Sequence, residues 1–167
     1  MFVRRLFYRT KAKVLWPRDI LAAMSTEFDV SSPLHPNAIL GIQHFNKGEY
    51  FEAHEELETA WRAETDEIRD LYQGILQAGV AYLHIIRGNY DGAVKVYRRS
   101  QRWLTKWPDL CRGVEVGRLR TDLDAAIAEV RRLGRERIGE FDLSLLKPIV
   151  VNGLTDSSTD SFTDSRI

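Results

Sequence analysis

GEYFEAHEELETAW, residues 48–61, reads as an amphipathic helix, and its reading decides the fold class. At 3.6 residues per turn, Tyr50, Phe51, Leu57 and Trp61 all fall within roughly 60° of His54 on the helical wheel. Glu58, one turn on, falls there too. An imidazole and a carboxylate at the centre of a core-facing stripe need partners, because burying either one unpaired costs several kcal/mol. The stretch therefore predicts a helix with a specific polar cluster built into its apolar face.

Working outward, the same helical period runs through the body of the chain. Pro36 suits the first turn of a helix over 36–47, with Ile39, Ile42 and Phe45 inward and Gly48 ending it. The second helix covers 49–64. Thr65 or Asp66 is placed to cap a third over 67–87. Its LYQGILQAGVAYLHII is apolar nearly all round, which predicts a central position. Arg87-Gly88-Asn89 is a stop followed by a restart. A fourth helix spans 90–106, before Pro108. A fifth spans 117–133, with Leu119, Leu123, Ala126, Ile127 and Val130 at helical spacing and Gly134 closing it. No segment shows the period-two alternation of a strand.

GEYFEAHEEL also has an echo. GNYDGAVKVY repeats it 40 residues later, with Gly48/Gly88, Tyr50/Tyr90 and Ala53/Ala93 at the same offsets. That period suits a pair of helices per unit. The pattern resembles in part the second helix of tetratricopeptide repeats, although 40 exceeds their usual period of about 34. The expected fold is all-α: a compact multihelical bundle of stacked antiparallel hairpins, tetratricopeptide-like in part.

Composition bounds the function classes. The chain has 167 residues, 44% hydrophobic and 29% charged, with zero formal net charge. It is long enough for one domain with a real core. No overall basic field favours nucleic acid. The single cysteine, Cys111, excludes an internal disulfide and a cysteine-rich metal cluster, and fits a reducing, cytoplasmic setting. No apolar run is long enough for a transmembrane helix. Residues 1–35 read as a basic leader and linker, with six Lys/Arg against one acid (Asp19) in the first 23 residues. Met24 is an alternative start. Residues 36–150 read as the helical domain. Residues 151–167 repeat a Thr-Asp-Ser unit and are expected to be disordered.

The runs FNKGEYFEAHEELETAWR and LYQGILQAGVAYLHIIRGNYDGAVKVYRRSQRWL carry a family resemblance. The first holds His54, Glu58 and Trp61 as His-x-x-x-Glu-x-x-Trp. The second holds Tyr72, Gly74 and Gln77, then His84, Gly88 and Asn89. Together they resemble a bacterial and archaeal family catalogued as domain of unknown function 309, over roughly residues 36–125. The resemblance implies an all-helical fold and no established activity.

The chemistry-bearing side chains are His54, Glu55, Glu58, Trp61, Gln73, Gln77 and His84. Gln73, Gln77 and His84 lie within about 40° of one another on the third helix. One reading is a metal or acid–base site. Familiar forms of it are missing: HEELE is not HExxH, and Phe51 stands where a Glu-x-x-His site needs its glutamate. Antiparallel register about residue 66 sets position 54 against 78 and 58 against 74. His84 is then displaced by about 9 Å. Glu55 projects about 100° from His54. The favoured reading is a buried, structural His/Glu/Gln hydrogen-bond cluster, with no metal and no cofactor. Trp61 and Trp103 are assigned to the core.

Helix four carries Lys95, Arg98, Arg99, Arg102 and Lys106 interleaved with aromatics. A solvated face accounts for this better than nucleic-acid binding does. Residues 49–70, with nine Asp/Glu against two Arg, could pair with that face within or between chains. The expected function is a non-catalytic helical interaction or small binding module, with an unknown protein partner or self-association. The alternative is a metal-assisted hydrolase using His54 and Glu58.

Overall fold

The computed structural model describes residues 31–153. The basic leader, Met24 and the tail from residue 154 lie outside the described residues. Among the described residues five helices follow in order: α1 (Pro36–Asn46), α2 (Tyr50–Ala63), α3 (Arg69–Ile86), α4 (Tyr90–Leu104) and α5 (Val116–Arg137). Single 3-10 turns follow at Ile138–Glu140 and Leu143–Leu145. The fold is all-α, as expected, with only isolated bridges at Cys111, Val114 and Val151 among the described residues.

The sequence echo becomes two like hairpins. Both first helices end in the same glycine turn, with Gly48 at φ 80° and Gly88 at φ 67°. The Gly48 amide donates to Phe45 O and the Glu49 amide to His44 O, each at 2.9 Å. The Gly88 and Asn89 amides donate to Ile85 O and His84 O, also at 2.9 Å. This double bond from a left-handed glycine satisfies the last carbonyls of a helix and turns the chain sharply. The entry to α4 is capped as well, Asn89 Oδ1 accepting from the Gly92 amide at 2.8 Å. The entry to α3 departs from expectation. Neither Thr65 nor Asp66 caps it; the chain enters through a turn in which Asp66 O accepts from the Arg69 amide at 3.2 Å, and the helix begins two residues late.

Within each hairpin the helices close on a missing side chain. A Cβ on Gly41 would sit 2.6 Å from Leu57 Cγ, and one on Gly74 would sit 2.7 Å from Leu104 Cδ2. Ser100 is fully buried beside the second contact, its hydroxyl donating to Gly74 O at 2.9 Å. Between the hairpins, Phe45, Tyr50 and Tyr82 meet ring to ring at centroid distances of 5.2–5.7 Å. Burial pushes the hydroxyls of Tyr50, Tyr72 and Tyr82 above the usual phenol range. As expected, α3 is central and buried along most of its surface.

The last helix packs on α4, and Gly134 interrupts it with non-helical geometry. The chain then returns across the bundle. The side-chain amide of Asn46 pairs with the Ile149 backbone in both directions, at 2.8 and 2.7 Å. The Glu115 amide donates to Val150 O at 2.9 Å, and the Asn152 amide to Gly113 O at 2.7 Å. The last two of these bonds lie at and beyond residue 150, and the Asn152 bond falls within the 151–167 stretch read as a tail. Cys111 is fully buried and packs as a small apolar side chain.

Candidate functional site

The buried face of α2 consists of Tyr50, Ala53, Leu57 and Ala60. Two alanines define this line, and a wheel weighted toward large side chains misplaces it. Its centre lies roughly 80° from His54, so His54 and Glu58 stand at its edge. The expected buried cluster is therefore corrected: the side chains of His54 and Glu58 are 34% and 31% exposed. Phe51, on the far side of the wheel from that line, is 61% exposed.

Antiparallel packing of α2 on α3 brings this edge against the stripe that α3 leaves partly exposed. His54, Glu58 and Trp61 from α2, Gln73, Leu76 and Gln77 from α3, and Trp103 from α4 line one open cleft of about 230 Å³. Trp61 and Trp103 were assigned to the core and are instead half-buried walls. Each indole carries a cation over its ring. The Arg69 guanidinium lies 4.8 Å from the Trp61 centroid, and the Lys106 ammonium lies 4.5 Å from that of Trp103. Lys106 is also paired with Asp70 at 2.6 Å.

The expected hydrogen bonds from His54 and Glu58 to the glutamines are not formed. Each takes a partner on its own helix instead. His54 Nδ1 lies 3.3 Å from Glu55 Oε1, and Glu58 Oε1 accepts from Arg62 Nη2 at 2.7 Å. Glu55 therefore turns toward His54 rather than away, because its flexible side chain folds back across the helix surface. One ligand atom from each of His54, Glu55 and Glu58 lies within 4.8 Å of the others. The side-chain amides of Gln73 and Gln77 have no hydrogen-bond partner among the described residues, although both line the cleft.

His84 is apart from this cleft. Asn89 Oδ1 accepts from Gly92, which orients Asn89 Nδ2 toward His84 Nδ1 at 3.1 Å. Nδ1 is then the acceptor, and the ring proton belongs on Nε2. His44 occupies the equivalent place in the first hairpin, its Nδ1 2.6 Å from Glu49 Oε2. His44 and His84 are also 40 residues apart, so the sequence echo carries the signal for this pair. Both histidines bind the residue after the glycine turn, which makes His84 part of the hairpin and not of the cleft.

A larger, shallower concavity of about 590 Å³ lies between the end of α4 and the start of α5. No sequence motif marks it. Its polar groups are already engaged. Asp124 Oδ1 accepts from Tyr97 Oη at 2.7 Å and from Gln101 Nε2 at 2.9 Å. Burial and the Asp124 contact push the Tyr97 hydroxyl up to about 12. Arg120 Nη1 donates to Leu104 O and Trp107 O at 3.2 and 2.9 Å, and Nη2 donates to Asp109 Oδ1. The two hollows therefore differ in kind: this one is closed by its own bonds, while the α2–α3–α4 cleft presents unpartnered amides.

Residues 39–96 match the model of one family. That family is the Domain of unknown function (DUF309). The DUF309 stretch runs from α1 to the middle of α4 and holds every cleft residue except Trp103. A relative from Aquifex aeolicus (strain VF5), described as an uncharacterized protein, is 29% identical over 96 residues. That similarity covers 57% of this chain and 27% of the relative's length. No helix among the described residues is long and apolar enough to cross a membrane.

Proposed function

We propose that the DUF309 stretch and its flanking helices form a non-catalytic binding module, whose α2–α3–α4 cleft takes a small ligand. One observation carries this reading. Two glutamine amides, each able to donate and accept, line an aromatic-walled cleft without satisfying each other or the protein. Both amides open onto the cleft rather than being sealed from water, so a ligand seated there can replace that water and take up their donors and acceptors. Convergent polar groups among apolar walls are the usual composition of a ligand site. At about 230 Å³ the cleft is smaller than the ~300–1,000 Å³ common for drug-sized ligands, which favours a compact molecule. The tetratricopeptide-like character of the paired hairpins and a cytoplasmic location belong to the same reading.

The competing class is a metal-assisted hydrolase, and the approach of Glu55 to His54 and Glu58 is the observation in its favour. Native mass spectrometry of the full chain tests the proposal. The expected result is a small bound mass that survives desalting, is kept in a His44→Ala protein and is lost in Trp103→Ala. The proposal fails if the wild-type chain carries no added mass and compounds of matching size leave its tryptophan fluorescence unchanged. Hydrolysis of an ester or phosphoester probe, abolished by His54→Ala, would move the reading to the hydrolase.

A further inference from the structure

We infer that the protein self-associates through two outer helix faces, the acidic face of α2 seating on the basic face of α4 in a second copy. The hairpins repeat after 40 residues, so α2 and α4 expose equivalent positions. Those positions carry opposite charge: Glu55 is equivalent to Lys95, and Glu58 to Arg98. Glu52 extends the acidic face by a turn. On α4, Lys95, Arg98, Arg99 and Arg102 are all exposed, and their spacing of three and four residues makes them one stripe. Among the described residues none of these four forms an ion pair. Pairing of the acidic 49–70 stretch with the basic helix inside one chain comes down to Asp70 and Lys106, just past the end of α4. Like charges along one stripe repel one another, and an acidic surface laid over them relieves that repulsion.

The placement of the two helices selects a second copy as the partner. Both α2 and α4 pack on α3, and the short connections on either side of α3 make each antiparallel to it. They are therefore parallel to each other. Both also wall one cleft over α3, so they flank the same side of the bundle. Dimers of identical chains usually form about a two-fold axis. An axis running along the helices carries α2 onto α4 of the second copy and α4 onto its α2. Acid then meets base at both contacts and at matched heights, Glu55 with Lys95 and Glu58 with Arg98. An axis across the helices sets α2 on α2, acid against acid. Arg62 shares Glu58 at 2.7 Å, and Glu55 lies 3.3 Å from His54; both pairings are exposed and yield readily. Phe51, one turn before Glu55 and 61% exposed, supplies an apolar contact at the edge of the same face. A polyanion such as nucleic acid would match the basic stripe but meet repulsion from the acidic face beside it.

Exposed ion pairs are individually weak and screened by salt, so the dimer should be weak and salt-sensitive. The test is sedimentation velocity of the full chain over a range of protein concentrations, at about 10 mM and about 1 M salt. Charges are felt over roughly 30 Å in the first and roughly 3 Å in the second. The expected result is a monomer–dimer equilibrium at low salt that dissociates at high salt. Lys95→Glu with Arg98→Glu turns the α4 face acidic, and Glu52→Lys with Glu55→Lys turns the α2 face basic. Each of these proteins should be monomeric alone. Mixed in equal amounts, the two should form a heterodimer, because every reversed face then meets its opposite. Glutamine at the same four positions should also give monomers, and serves where a reversal impairs folding. A wild-type chain that stays monomeric at low salt overturns the inference, whether or not its basic stripe binds a single-stranded RNA oligonucleotide. So does a dimer that either reversed or neutralised protein retains, or a mixture of folded variants without heterodimer.

Discussion

Gly74→Ala is expected to destabilise the fold by about 2 kcal/mol, although alanine is the better helix former. Removing glycine from a helix interior contributes about 1 kcal/mol in favour of folding. Against this, the added methyl would lie 2.7 and 2.9 Å from two carbons of Leu104 and 3.2 Å from Trp103 Cβ. Overpacking of this kind costs about 1–3 kcal/mol, and more where the neighbour cannot move. Leu104 is fully buried, so it cannot move freely. Gly41→Ala meets Leu57 at 2.6 Å and Ala53 O at 3.2 Å in the first hairpin and should behave alike. The check is a thermal midpoint lower by about 6 °C for either variant. Shortening Leu104 to alanine in the Gly74→Ala protein should cost less than it does in the wild type, because the two changes share one space. A Gly74→Ala protein melting at or above the wild type would show that the α3–α4 contact is looser than described.

Arg120→Ala is expected to cost about 2–3 kcal/mol, an unusually large loss for a side chain on an outer helix. Arg120 is only 22% exposed and ties three groups together. Two are carbonyls at and just past the end of α4, Leu104 O and Trp107 O, and the third is Asp109. Leu104 O also accepts from the Trp107 amide at 3.2 Å, so the guanidinium is its second donor, and the cation favours the negative end of the helix dipole. The corner is close-packed as well: a Cβ on Gly117 would lie 2.7 Å from Asp109 Oδ1. Lysine should recover little, since an ammonium cannot reproduce the fork of a guanidinium. Chemical denaturation of Arg120→Ala and Arg120→Lys measures this. Unchanged midpoints for both would mean that water replaces the guanidinium without loss.

How legible each part was in the sequence follows from how local its cause is. The five helices and the two glycine turns were legible, because periodicity, Pro36, Gly48, Gly88 and Gly134 act within a few residues. The Arg120 corner was not. Nothing near Arg120 in sequence shows that it reaches carbonyls of the preceding helix. Nor does anything near Val114 reveal its bridge to Val151. The candidate site was legible as a set of residues, since register brought His54, Glu58, Gln73 and Gln77 together and kept His84 away. Its exposure was misread. Large apolar side chains drew the predicted core line through His54, while the packing follows Ala53 and Ala60, whose small size lets neighbouring helices approach. Glu55 was misread for a related reason, because a wheel fixes the direction of a Cβ and not the end of a long side chain.

The central claim is that the polar cluster serves a ligand and not the fold. The thermal midpoint of a Gln73→Met, Gln77→Met double variant tests it most directly. Methionine keeps the length of glutamine and removes the amide, so a group serving only a ligand can be replaced without loss of stability. The account predicts a midpoint equal to the wild type or higher. A midpoint lower by several degrees would mean that the two amides hold the fold together, and would contradict it.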